Sequence, residues 1–174
     1  MSDVKKEKIN FAQILSEELE KHDLSFTSKV RGEDTVFTLP MSADNAPGIN
    51  VKLIIDEDGD CKLRSYLASN VSAAKWPAMY SVLNALNAKY RYICLSMDKD
   101  GDICAAYDFT LFSDAASVFA QVIAMLFLYT DIADKCIPDI MQSLWAKADV
   151  TASSNHRAIK ANLFEEDEEE EDEE

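Results

Sequence analysis

Apolar positions along the first half of the chain change from a helical to an alternating spacing. Between Val4 and Lys21, apolar residues lie on one face of a helix and charged residues lie between them. Four short β-prone runs follow, separated by turn-forming residues. They are Leu24–Val30, Thr35–Met41, Ile49–Asp56 and Cys61–Ala68. The pattern predicts an amphipathic helix followed by strands joined as hairpins.

A second helix and a further hairpin are predicted in the middle of the chain. Ser72 is a candidate N-cap, and Pro77 suits the first turn of a helix that runs to about Lys89. Two more strands, Tyr90–Met97 and Ile103–Phe109, flank the segment Asp98-Lys99-Asp100-Gly101-Asp102. An Asp- and Gly-rich segment of this length between β-prone runs is typical of a hairpin tip.

The third predicted helix begins at Ser113 or Asp114 and has little polar face. Such a helix is expected to be buried on several sides, by the sheet or by another subunit. Pro138 is expected to kink or divide it, and Asp139–Lys147 completes it. Its most apolar stretch, Val118–Ile132, is interrupted by polar residues and is shorter than the roughly 20 residues of a membrane span.

The predicted order is α-β-β-β-β-α-β-β-α, an α+β fold in which an antiparallel sheet is flanked by helices. We assign residues 1–148 to this domain and 149–164 to a linker with a short amphipathic segment. Residues 165–174 are all Asp or Glu and are predicted to form a disordered acidic tail.

The tail accounts for most of the net charge of −15. The other 164 residues contain 17 Lys and Arg against 22 Asp and Glu, which argues against a nucleic-acid partner. A basic protein partner remains open, and Glu165, Glu166 and Asp167 are candidate contacts for it. The alternative role of the tail is to keep the domain soluble.

Four cysteines are spread singly along the chain, without the spacing of a zinc site or a disulfide framework. The polar segment Met1–Asn10 has no apolar core like that of a secretory signal, so we expect a cytoplasmic protein with reduced thiols. The cysteines are expected to be small buried apolar residues.

The segments Asp56–Asp60 and Asp98–Asp102 both read Asp-x-Asp-Gly-Asp, which resembles the start of a calcium loop. Such a loop needs glycine at position six and glutamate at position twelve. Counted from Asp98 these positions are Ile103 and Phe109, and counted from Asp56 they are also apolar. We therefore interpret both segments as turns, with weak adventitious cation binding as the alternative.

No recognisable catalytic motif is present in the sequence. There is no nucleophile elbow or phosphate-binding glycine loop, and His22 and His156 are too far apart to suggest a metal centre. We expect a protein that is not an enzyme and that has no cofactor or metal. Trp76, Phe119 and Phe127 are the apolar candidates for contact with a protein partner, because exposed aromatic residues are enriched in binding hot spots.

The segment Leu83-Asn84-Ala85-Leu86-Asn87, with Tyr90-Arg91-Tyr92 and the hairpin around Asp98–Asp102, resembles the YbjN family. The resemblance extends over about Ile9–Lys147. It implies a fold like that of type III secretion chaperones, often dimeric and without known catalytic residues. Members of this bacterial family are described as sensory-transduction regulators or chaperone-like proteins. From the residues alone, Asn84 and Asn87 are interpreted as structural, with Asn87 closing its helix.

These observations predict a non-catalytic protein-binding module that holds a segment of another protein against its sheet or in a helical groove. Two alternatives remain open. One is a dedicated chaperone for an effector of a type III secretion system. The other is a structural or regulatory homodimer in which the long apolar helix forms the interface.

Overall fold

The computed structural model describes residues 9–112 and 115–146. In this part of the chain, three α-helices and six β-strands follow the predicted order, which confirms the α+β fold class. They are α1 (Phe11–Lys21), β1 (Thr27–Arg31), β2 (Asp34–Met41), β3 (Ile49–Ile55), β4 (Asp60–Ala68), α2 (Trp76–Lys89), β5 (Cys94–Met97), β6 (Ile103–Thr110) and α3 (Val118–Trp145). The cap predicted at Ser113 or Asp114, the linker 149–164 and the tail 165–174 lie outside the described residues.

The six strands form one antiparallel sheet in the order β1-β2-β3-β4-β6-β5. Strands that are consecutive along the chain are joined as hairpins, as predicted, except β4 and β5. There, α2 carries the chain to the edge strand β5, and β6 returns between β5 and β4. The hairpin pattern did not predict this placement.

All the helices pack on one face of the sheet. Strands β3 and β4 alternate strictly between buried and less buried positions, so that Val51, Leu53 and Leu63 point into the core. Helix α3 contacts β3 and β4, α2 contacts β5 and α3, and α1 contacts α3. The opposite face of the sheet is covered by no helix of the described chain, as is common for antiparallel sheets.

Two strands are shorter than the sequence predicted. β1 begins at Thr27 rather than Leu24, because the N–H of Leu24 donates to the carbonyl of Leu19 at 3.0 Å and so belongs to the end of α1. Asp23 adopts a φ of 53° in this closing turn. β5 begins at Cys94 rather than Tyr90, because Tyr92 has a φ of 61°, which interrupts an extended chain.

Helix α3 is continuous over its 28 residues, so Pro138, which was predicted to kink or divide the helix, does not divide it. Proline removes one hydrogen bond, to the carbonyl of Asp134 four residues earlier. Ile137 and Ile140 are buried in the core on either side of the proline, and their packing keeps both halves in one helix.

Helix α2 begins later than its predicted cap. Ser72 precedes a 3₁₀ turn, Ala73–Lys75, and its side chain makes no capping hydrogen bond. The α-helix proper starts at Trp76, with Pro77 in the first turn as predicted.

A buried hydroxyl pair fixes α3 to the centre of the sheet. Tyr129 Oη donates to the carbonyl of Ala105 on β6 at 2.8 Å, and Ser65 Oγ on β4 lies 2.7 Å from the same phenolic oxygen. Burial raises the pKa of Tyr129, so its hydroxyl stays protonated. The arrangement satisfies the hydrogen bonds of both buried hydroxyls.

The connection between β2 and β3 is fixed by a carboxylate of α3. Asp134 Oδ1 accepts from the backbone N–H of Asn45 at 2.9 Å, and Oδ2 accepts from Asn45 Nδ2 at 2.9 Å and from the N–H of Asp44 at 3.2 Å. Partial burial opposes ionisation of Asp134, but these three hydrogen bonds lower its pKa below the usual value.

Candidate partner-binding surfaces

A groove runs between α2 and α3 on the outside of the helical layer. It encloses about 400 Å³ and is lined mainly by small or apolar side chains. Val82 and the buried Leu86 form its floor. The remaining lining residues are Ala78, Ala85, Lys89, Asp139, Gln142, Ser143 and Ala146. The short side chains of the walls leave the groove open enough for side chains of another helix.

A second cavity, of about 670 Å³, lies on the other side of the last turns of α3. It is lined by Asn45, Ile137, Pro138, Met141, Gln142, Trp145 and Ala146. Gln142 and Ala146 also line the groove, so the two concave surfaces adjoin. Trp145 is 79% exposed, the largest exposed fraction among the large apolar side chains of the described chain. We call the groove and this cavity together the α2–α3 surface.

Lys75 fixes the geometry of the α2–α3 surface. Its ammonium group donates to the carbonyl of Leu144 and, at 3.1 Å, to that of Ala146. These carbonyls belong to the end of α3, where they have no partner within the helix. Because Lys75 directly precedes α2, this contact joins the beginning of α2 to the end of α3.

The uncovered face of the sheet is a second candidate surface, which we call the open face. Its basic side chains are Lys29 and Arg31 on β1, Lys52 on β3, and Lys62 and Arg64 on β4. Tyr66, which is 58% exposed, and the half-buried Ile54 lie among them. The acidic side chains on the same face are Asp34, Asp60 and Asp108. The open face is thus basic on a chain whose net charge is −15.

Contacts on the open face leave most of its basic groups available. Arg64 pairs with Asp108 at 2.5 Å, and Lys52 Nζ lies 6.0 Å from the centre of the Tyr66 ring. Within the described residues, Lys29, Lys52 and Lys62 have no carboxylate within 4.0 Å. These ammonium groups can therefore bind an external or tethered anion without losing an existing ion pair.

The three aromatic residues proposed as partner contacts lie in different environments. Trp76 is half-buried, and its Nε1 donates to the carbonyl of Val71 at 2.8 Å, which gives it a structural role at the start of α2. Phe119 is half-buried and stacks on His22 at 4.6 Å between ring centres. Phe127 is 63% exposed on the outer face of α3, near Leu24. Glu165, Glu166 and Asp167 lie outside the described residues.

The two Asp-rich hairpin tips have the same hydrogen bonds. Asp56 Oδ1 accepts from the N–H of Asp58 at 3.0 Å and of Asp60 at 2.9 Å. In the other tip, Asp98 Oδ1 accepts from the N–H groups two and four residues later, both at 2.9 Å. The first carboxylate of each tip thus closes the turn, which is the role that the sequence predicted.

The thiols divide into buried and accessible groups. Burial, together with the carboxylates of Asp56 and Asp60, raises the pKa of Cys61 to about 12. Burial and Asp139 raise the pKa of Cys136 to about 11. Both thiols stay protonated and are poor nucleophiles near neutral pH. Cys94 is exposed and lies on the open face of β5.

The residues of the α2–α3 surface were not identified from the sequence. A pattern is present: Ala78, Val82 and Ala85 repeat at helical spacing on α2, and Asp139, Gln142 and Ser143 do so on α3. Small residues at such spacing mark a face on which another helix can approach closely. In the sequence alone, the same spacing also fits a helix face that is packed in the core, so the pattern does not identify a surface.

Within the described part of the chain, no helix is both long enough and apolar enough to cross a membrane.

Comparison with known proteins gives one family. The model of the family YbjN, described as "Putative bacterial sensory transduction regulator", matches residues 12–142. A crystal structure of YbjN from E. coli, described as "a putative transcription regulator", is similar with a TM-score of 0.47 and 14% sequence identity. The similarity covers 71% of this chain and 89% of that chain. No curated protein matches the sequence.

Proposed function

This chain belongs to the YbjN family, and from that membership we propose that it is a non-catalytic, cytoplasmic regulator that binds another protein. The α2–α3 surface is the proposed binding site. The partner is an amphipathic helical segment that places its apolar side chains in the groove. Family membership supports the regulatory role, and the shape and composition of the groove support the mode of binding.

The observation on which this proposal rests is the adjacency of an apolar groove and an exposed tryptophan. Helices bind in grooves through apolar side chains at positions i, i+3 or i+4 and i+7. The groove offers Val82 and Leu86 as an apolar floor, and Lys89 and Asp139 provide opposite charges along its rim. Trp145 lines the cavity that adjoins the groove, and tryptophan is among the residues most enriched in binding hot spots.

The first test is a substitution that fills the groove and leaves the core unchanged. Ala85 and Asn84 are adjacent and both exposed on α2, but of the two only Ala85 lines the groove. We expect Ala85→Arg to abolish recovery of a protein partner in affinity purification from native cells, and Asn84→Arg to leave it unchanged. The recovered segment is then titrated by calorimetry against the purified protein and both variants. Equal affinity for all three proteins would contradict binding in the groove.

Trp145 provides a second, independent test of the same site. Truncation of a central aromatic hot-spot residue typically weakens binding by 2 kcal/mol or more, which is roughly a 30-fold increase in Kd. We expect Trp145→Ala to have this effect on the recovered segment. Tyr80→Ala is the control, because Tyr80 is an exposed aromatic residue on α2 that lines neither the groove nor the adjoining cavity.

A dedicated chaperone for a secreted effector is a narrower form of the same proposal. The groove supports both forms equally, because it accommodates a helical segment whatever protein supplies it. An effector gene beside the gene for this chain would favour the narrower form. A recovered partner that is never secreted would contradict it.

A regulatory homodimer is the second candidate function, and the outer face of α3 supports it. Phe127 is 63% exposed and Leu24 is 41% exposed beside it, while Ala120 and Ala124 continue the same exposed stripe. We expect light scattering at tens of micromolar to give the mass of a dimer, and Phe127→Glu to give that of a monomer. A monomeric parent protein would contradict this candidate.

A further inference from the structure

We propose that the open face of the sheet binds the chain's own acidic segment, residues 165–174. This inference is independent of the groove between α2 and α3, because the open face lies on the opposite side of the sheet. The segment competes there with acidic segments of other proteins and is displaced by salt or by such a competitor.

Charge complementarity identifies the occupant. The segment contains ten consecutive carboxylates. The open face has five basic side chains, on β1, β3 and β4, against three acidic ones, and within the described residues only Arg64 among the basic ones forms an ion pair. Extended acidic chains and rows of Lys and Arg attract each other strongly when salt is low, since the Debye length then exceeds the spacing of the charges.

The positions of the basic groups on the sheet suit an extended chain. Lys52 on β3 is directly opposite Arg64 on β4, and Lys62 on β4 is opposite Ile54 on β3. Adjacent strands lie about 4.8 Å apart, and residues on one face of a strand repeat about every 7 Å. A chain that crosses the strands therefore meets Lys52 and Arg64 on adjacent strands, or Lys29 and Lys62 with Val36 and Ile54 between them.

The length of chain between α3 and the acidic segment is sufficient for this contact. Eighteen residues, 147–164, separate Ala146 from Glu165, and they span about 60 Å when fully extended. A domain of this size has a diameter of roughly 35–40 Å. The end of α3 and Asn45, in the connection between β2 and β3, line the same cavity, so α3 ends near the start of β3. Lys52 lies on the open face three residues after β3 begins.

Cys94 is a native probe of this contact. It is exposed on the open face, and on the neighbouring strand it is opposite Ala106, which is itself paired with Arg64. The experiment compares the full-length protein with a full-length variant in which every Glu and Asp of 165–174 is replaced by Gln or Asn. In 10 mM salt, we expect iodoacetamide to alkylate Cys94 several-fold more slowly in the parent protein. In 0.5 M salt, the two rates are expected to be equal.

NMR spectra of the same two proteins locate the contact. We expect backbone amide shifts to differ at Lys29, Lys52 and Lys62 and around them, and to be unchanged on the outer faces of the helices. Lys52→Gln with Lys62→Gln is expected to abolish the salt-dependent protection of Cys94. Lys21→Gln with Lys135→Gln removes the same charge from the helical layer and is expected to preserve the protection.

Three outcomes would overturn the proposal. The first is equal alkylation of parent and neutralised variant in low salt. The second is shift differences that lie on the helical layer. The third is binding of an added acidic decapeptide to the open face with the same affinity in both proteins, because a face already occupied by its own segment binds a competitor more weakly. The last result would assign the face to an external acidic partner.

Discussion

Asn87 near the end of α2 binds the backbone of Leu95 in the edge strand β5 through both groups of its side-chain amide. Asn87 Nδ2 donates to the carbonyl of Leu95 at 3.0 Å, and the N–H of Leu95 donates to Asn87 Oδ1 at 2.8 Å. Both backbone groups of Leu95 point away from β6. The amide therefore takes the place of a neighbouring strand and blocks the sheet edge at this point.

Asn87→Ala is expected to lower the free energy of unfolding by about 1–2 kcal/mol, because two hydrogen bonds to a strand backbone are lost. Urea unfolding measures this loss, and hydrogen exchange at the amide of Leu95 is expected to accelerate. Asn84→Ala is the matched control, since Asn84 is exposed one turn earlier in the same helix. Equal effects of the two substitutions would show that helix propensity, and not the contact with β5, determines the stability.

The same residue shows what the sequence could and could not predict. Asn87 belongs to the segment that resembled the YbjN family, and a structural role for it was predicted. The expected mechanism was wrong, because Asn87 is helical and does not close α2 in a left-handed conformation. Its partner Leu95 lies across a loop, and the pairing depends on where β5 is placed in the sheet. Local spacing carries no information about that placement.

Hairpins and helices, in contrast, could be predicted from local spacing. Each depends on residues close in sequence, as in the tips closed by Asp56 and Asp98. The α2–α3 surface and the open face depend instead on which elements become neighbours. The basic character of the open face arises when Lys52 of β3 and Arg64 of β4 are placed side by side. In the linear sequence these residues are scattered among acidic ones.

Tyr129→Phe is expected to destabilise the protein by about 1–3 kcal/mol. The substitution leaves the hydroxyl of Ser65 and the carbonyl of Ala105 without their buried partner. Adding Ser65→Ala to this variant removes one of the two groups left without a partner. The double variant should therefore lose less free energy of unfolding than the sum of the two single variants. Chemical unfolding of all four proteins gives the coupling energy, and strict additivity would contradict a shared network.

Asp134 is expected to make stability depend on pH in the acidic range. Its hydrogen bonds to the β2–β3 connection lower its pKa below the usual 3.8, so the unfolded chain binds a proton more readily than the folded one. The stabilisation by ionised Asp134 is therefore fully present above about pH 5. It begins to be lost as the pH falls through 3.8, the usual pKa, and is gone below the lower pKa of the folded state.

The measurement is the free energy of unfolding between pH 7 and pH 2 for the parent protein and two variants. Asp134→Asn is expected to cost about 1–2 kcal/mol at pH 7 through lost charge-assisted hydrogen bonds, and the difference should shrink as the pH falls. Asp131→Asn is the control, because Asp131 is exposed one turn earlier and pairs only with Lys135 among the described residues. Parallel pH curves for the parent protein and Asp134→Asn would contradict the assignment.

Glycine substitutions in the turns should be ranked by what surrounds each one. Gly101 has a φ of 82°, and an added Cβ would lie 2.7 Å from the backbone oxygen of Val71, which cannot move independently. Gly32 has a φ of 63° with no atom within 4 Å of that position. We expect Gly32→Ala to cost about 1 kcal/mol through backbone strain alone. We expect Gly101→Ala to cost about 1–3 kcal/mol more than this, because the added methyl group also clashes with the backbone of Val71. Thermal and urea unfolding measure both costs. Equal costs would mean that the Asp98–Asp102 tip can move away from Val71 freely. The hydrogen bond from the N–H of Val71 to the carbonyl of Gly101, at 2.9 Å, opposes such a movement.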